Sequence, residues 1–133
     1  MDFLYQDPYP ILKDDTQYKK LTSDYVKVEQ LGDREILVVD PKGLELLAQE
    51  AMDDVSFMLR SAHLQKLRNI IEDPEATDND RFVAYNLLQN AAVAVEGQLP
   101  SCQDTGTAIV VAKKGENVYT GVDDGEWLSK GIY

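Results

Sequence analysis

The sequence predicts an α+β fold, a helical layer of about three amphipathic helices with a small mixed β-sheet. Three observations point there. Two β-branched runs flank a glycine-containing turn within residues 25–39, three stretches with apolar residues at the helical period fill residues 40–97, and strand-like runs return after Gly106. With 133 residues, 44% hydrophobic and 28% charged, the chain builds one modest core, so one domain is expected.

Residues 1–23 carry Phe3, Tyr5, Pro8, Tyr9, Pro10 and Tyr18 without a period. The prolines forbid a helix before Asp14, and the aromatics supply surface to bury, so this segment reads as an extended amino-terminal arm that wraps a larger body. Residues 24–133 form the domain proper. Alternation begins at Tyr25-Val26-Lys27-Val28-Glu29-Gln30-Leu31, turns at Gly32-Asp33 and returns through Arg34-Glu35-Ile36-Leu37-Val38-Val39, which predicts a hairpin.

Asp40 and Pro41 supply an N-cap and a first helical residue. The helix they open places Leu44, Leu47, Ala48, Ala51, Met52, Val55, Met58 and Leu59 on one face, which is read as core; its two methionines are packing. Ser61 is the expected cap of a second helix, with Leu64, Leu67, Ile70 and Ile71 buried and Asp73-Pro74 ending it. A third follows Thr77-Asp78-Asn79, carries Ala84, Leu87, Leu88, Ala91, Ala92 and Val95, and stops at Gly97. Strands are expected at 107–112 and 117–121, joined through Lys113-Lys114-Gly115-Glu116, before Asp123 or Asp124 caps a short helix through Glu126, Trp127 and Leu128. The ending Ser129-Lys130-Gly131-Ile132-Tyr133 has no polar tail, which predicts a polypeptide that continues.

Charge and patterning exclude several functions. With 24 acidic and 13 basic side chains the formal net charge is -11, and a phosphate backbone needs clustered Lys and Arg, so no nucleic acid partner is expected. The basic pairs Lys19-Lys20 and Lys113-Lys114 read as solvated surface. No apolar run is long enough to cross a bilayer and no secretory signal opens the chain, so no membrane association is expected and the expected compartment is the cytoplasm.

The chemistry-bearing residue types converge on one loop. Cys102, the only cysteine, lies in Leu99-Pro100-Ser101-Cys102-Gln103-Asp104-Thr105-Gly106-Thr107, which sets a thiol, an amide and a carboxylate side by side. One thiolate cannot hold a metal cluster or a structural zinc, which need three or four ligands. Cys102 is therefore either an ordinary small buried side chain or one ligand whose partners lie beyond residue 133. Two further readings stand beside these. A redox-sensing thiol would need positive charge next to it, where this loop offers Asp104. An interaction module would use the aromatic arm and the acidic surface. His63, the sole histidine, falls on the polar side of the second helix, which argues against a Cys-His nucleophile pair.

Pro100-Ser101-Cys102-Gln103-Asp104-Thr105-Gly106 resembles the first cluster-cysteine motif of class I fumarate hydratases and of the related tartrate dehydratases. The resemblance extends over Phe3-Leu4-Tyr5-Gln6-Asp7-Pro8, Leu21-Thr22-Ser23-Asp24-Tyr25-Val26, Val55-Ser56-Phe57-Met58-Leu59-Arg60 and Val118-Tyr119-Thr120-Gly121, so it covers essentially the whole chain. The arm favours the long single-chain fumarases over tartrate dehydratase.

The resemblance implies that this is an amino-terminal domain fragment of a longer hydro-lyase, which interconverts fumarate and (S)-malate in the tricarboxylic acid cycle. It implies a 4Fe-4S cluster on three cysteines with one iron open to substrate, Cys102 being the first ligand. Gln103 and Asp104 carry over as binding residues for the dicarboxylate, and Asp104 also as a catalytic residue. An uncharged amide at Gln103 can donate to a substrate carboxylate; Asp104 can accept from the malate hydroxyl or pass a proton. The expected partners are that substrate, the remainder of the same chain and, when full length, a second copy in a homodimer. The fragment alone is expected to be inactive.

Overall fold

The computed structural model describes residues 3–7, 17–102 and 106–133. Its elements run β1 (Val26–Leu31), β2 (Arg34–Val39), α1 (Pro41–Phe57), α2 (Ser61–Glu72), α3 (Asp78–Ala94), β3 (Val118–Tyr119) and α4 (Asp124–Ile132). This is the expected α+β arrangement, three successive helices with a short fourth and a small mixed sheet. Strand order is β1-β2-β3, the first pair antiparallel and the second parallel.

Local chemistry accounts for most element boundaries. Gly32 turns the hairpin at φ +60°, a conformation open to glycine because it lacks a Cβ, and sets the register from Leu31 opposite Arg34 to Val26 opposite Val39. The Asp40 carboxylate accepts from the Lys42 N–H at 2.9 Å, while the Asp40 N–H donates to the Tyr25 carbonyl at 2.8 Å. One residue thus caps α1 and ties it to the sheet. Thr77 and Asp80 form a reciprocal capping box on α3, and Asp123 caps α4 by accepting from the Gly125 and Glu126 N–H groups.

Three expectations about boundaries change. Ser61 is the first residue of α2 and not its cap: Arg60 holds the extended N-cap conformation, and its carbonyl accepts from the His63 and Leu64 N–H groups, with no side-chain capping bond. Residues 107–112 form no strand. Ile109 is 78% and Val111 64% exposed, and the run has no ladder partner among the described residues. A β-branched run without a neighbour to take its N–H and C=O groups gains nothing from extension into a ladder. The expected strand at 117–121 shortens to Val118–Tyr119 and pairs with β2, helped by the Leu37 N–H donating to the Asn117 carbonyl at 2.8 Å.

The helices pack as pairs, α1 with α4 and α2 with α3. Small residues allow it. A Cβ on Gly131 would lie 2.1 Å from the Glu45 carbonyl oxygen and 2.9 Å from the Ala48 Cβ, so α4 crosses α1 backbone to backbone. Among the described residues the buried apolar ones are Ala48, Leu67, Ala84 and Ala94. The expected core face of α1 is accordingly only partly covered: Leu47 and Val55 are exposed, and so is Met58, which with Leu59 falls beyond the end of the helix because the backbone turns extended at Met58.

Candidate functional site

Cys102 sits where the loop after α3 comes back across the end of α1. The helix ends at Phe57, so the Ser56 carbonyl is one of the last-turn acceptors with no partner inside the helix. The Ser101 N–H donates to it at 2.8 Å. The next peptide is held by a different helix: the Cys102 N–H donates to Oδ1 of Asn90, on α3, at 3.0 Å. Cys102 itself is exposed and in no disulfide.

Two adjacent main-chain bonds to two helices therefore hold the peptide of a thiol that is exposed in this chain, at odds with the reading of Cys102 as a small buried side chain. Beside it, Ser101 is only 4% exposed, and its buried Oγ has no hydrogen-bond partner among the described residues. An unsatisfied buried hydroxyl costs about 1–3 kcal/mol, so it is an uncommon feature to find next to a solvent-facing thiol.

Gln103 and Asp104, the other two site residues read from the sequence, lie outside the described residues, as does Thr105. Gly106, where the description resumes, has φ +107°, a backbone conformation that excludes most side chains. His63 is exposed on α2, in agreement with its assignment to the polar side. Among the described residues, no three His, Cys, Asp or Glu side chains are grouped so as to hold a metal ion. The donors present fit one corner of an iron–sulfur cluster: one accessible sulfur on a fixed backbone, in a chain with no second cysteine.

A second polar cluster was not legible beforehand. Lys114 binds the Asp124 carboxylate and donates to Oγ1 of Thr120 at 3.3 Å, while Thr120, which is buried, donates to Asp124. The hydrogen bond from Lys114, followed by that from Thr120, holds the Asp124 carboxyl below the usual aspartate range. This clasp joins the end of β3 to the start of α4. Lys113, its neighbour, pairs with Asp7 at 2.6 Å, and Lys19 with Glu50 at 3.2 Å. The basic pairs stay at the surface as expected, yet these lysines connect segments. Only the spacing of Lys114, Thr120 and Asp124 hinted at a contact, and acids are too abundant in this chain for that to discriminate.

Known proteins place the chain in a family. The family model for fumarate hydratase (Fumerase) matches residues 45–133. The chain is 54% identical over 131 residues to "Fumarate hydratase class I, anaerobic" of Escherichia coli strain K12, covering 98% of the chain and 24% of that protein. It is 52% identical over 131 residues to "Fumarate hydratase class I, aerobic" of Salmonella typhimurium, covering 98% of the chain and 23% of that protein. To "Fumarate hydratase 1, mitochondrial" of Leishmania major it is 51% identical over 121 residues, 90% of the chain and 22% of that protein. The chain thus spans about a quarter of the length of these relatives. With two thirds of its residues inside the family model and half of them identical to hydro-lyases of this type, the chain belongs to the fumarate hydratase (Fumerase) family.

Proposed function

We propose that this chain is the amino-terminal part of a class I hydro-lyase that reversibly hydrates fumarate to (S)-malate, and that Cys102 is the first of three cysteine ligands to a 4Fe-4S cluster. The observation that supports this most is the 54% identity to a class I fumarate hydratase over 98% of the chain, the Cys102 loop included. The exposed thiol on a doubly anchored backbone suits a ligand that must meet its metal from one side. When bound, the cluster supplies a Lewis-acidic iron for the hydroxyl that malate loses and fumarate gains.

The chain's own residues do the rest of the work assigned to them here. The Cys102 sulfur holds one corner. The Gln103 side-chain amide donates to a carboxylate of the dicarboxylate without adding charge, and the Asp104 carboxylate accepts from the malate hydroxyl or moves its proton. Residues 1–23 act as an arm and residues 24–133 as the domain fragment; the ion pairs of Asp7 with Lys113 and of Lys19 with Glu50 support contacts of the described parts of that arm with the body.

The remainder of the same polypeptide is the main partner. Full length, the enzyme is a cytoplasmic homodimer.

In the full-length polypeptide, Cys102→Ala abolishes the visible cluster absorbance and fumarase turnover together, whereas Asp104→Asn keeps the absorbance and lowers turnover by about a hundredfold or more. The isolated 133 residues show no turnover, since they carry one cysteine. Retained absorbance in Cys102→Ala removes that residue from the ligand set.

A further inference from the structure

We infer that Asn90 is the positioning residue of the Cys102 loop: its side-chain carbonyl, carried on α3, holds the peptide that presents the Cys102 thiol to the cluster. The inference rests on the ligand role proposed above for Cys102. It is carried by how unequal the two anchors of this loop are. The Ser101 N–H goes to the Ser56 main-chain carbonyl, an acceptor that every residue type at position 56 would provide. The Cys102 N–H goes to Oδ1 of Asn90 at 3.0 Å, an acceptor that exists only because position 90 encodes it.

A main-chain N–H can only donate, so the Asn90 amide must turn its oxygen to the loop, and the interaction has a defined sense. The backbone of residue 102 is thereby tied to a side chain twelve positions earlier, on a half-buried site of a well-formed helix. The buried, unpartnered Ser101 Oγ one residue away indicates that the polar design of this loop is completed by something beyond the described residues. A metal-bound sulfur held on a peptide that swings would lose its cluster readily, since ligand orientation is set by the hydrogen bonds behind it.

The test uses the full-length polypeptide, with Asn90→Leu removing the acceptor at similar size and Asn90→Asp restoring an oxygen in the same place. The first measurement is hydrogen exchange at the Cys102 amide in cluster-free protein, and the second is the half-life of the visible absorbance when the loaded protein is challenged with an iron chelator. In the unmodified protein the Cys102 amide is protected. Asn90→Leu speeds its exchange about three- to tenfold, the loss of one neutral hydrogen bond, and shortens the absorbance half-life in step; Asn90→Asp restores most of the protection.

An unprotected Cys102 amide in the unmodified protein overturns the inference whether or not a variant folds. So does Asn90→Leu with exchange and half-life within twofold of the unmodified protein, or Asn90→Asp exchanging as fast as Asn90→Leu. The two readings fail separately. If Cys102→Ala keeps the absorbance, the ligand assignment is lost whatever Asn90 does; if it loses the absorbance while Asn90→Leu changes neither measurement, only the Asn90 inference is lost.

Discussion

Two apolar runs of this chain are nearly interchangeable in composition and opposite in fate. Ile36-Leu37-Val38-Val39 is half-buried in β2, laddered on both sides. Ala108-Ile109-Val110-Val111 is exposed and pairs with nothing among the described residues. Strand propensity is the same in both, so propensity is not what decides. The difference is pairing: β1 reaches β2 through Gly32 and Asp33 alone, at little closure cost, whereas β3, the neighbour that follows 107–112 across residues 113–117, pairs with β2 instead.

The sharpest way to break the comparison is a proline in each run. Leu37→Pro deletes the N–H that donates to the Asn117 carbonyl and places a ring inside a central strand; it is expected to cost more than about 2 kcal/mol, read as a lower urea midpoint. Gly32→Val comes next. It forces a β-branched residue to φ +60° at the turn that makes β1 and β2 neighbours, for about 1–2 kcal/mol in the same assay.

The clasp beside β3 gives a smaller, pH-dependent effect. The carboxyl of Asp124 is held below its ordinary range, so its contribution is complete above the unfolded value, near pH 4, and is lost as the pH falls through the folded value. The urea midpoint therefore declines less steeply on acidification in Asp124→Asn than in the unmodified chain. Val110→Pro should do least, within about 0.5 kcal/mol, because no ladder bond is there to lose. A large loss there would mean that 107–112 is paired after all.

Much of the fold was legible because its signals are local. Asp40, Thr77 and Asp123 cap their helices through contacts that reach no more than three residues, and Gly32 turns the hairpin between adjacent strands. The errors fall where local signals compete or where the partner is distant. Arg60 displaced Ser61 as N-cap although its side chain cannot cap, because the backbone turned extended one residue earlier. Leu47 and Val55 fit the helical stripe of α1, yet both are exposed, since coverage depends on what packs against the helix and not on its period.

For the site, the loop and its cysteine stand out in the chain by chemistry alone, but neither of its anchors does. Asn90 reads as one more polar position on α3, and Ser56 as one more residue near the end of α1. Their importance comes from a loop that returns to both helices.

By itself, the sequence determined the identity and most of the boundaries of the elements, the family, and the residue types gathered around Cys102, since periodicity, caps and motifs are properties of neighbours along the chain. Only the tertiary structure decided which apolar run found a partner, that α4 crosses α1 at Gly131, and that Asn90 and Ser56 together hold the Cys102 loop. Those outcomes depend on donors and acceptors brought together across many residues, and no local pattern specifies which of several equivalent groups will meet.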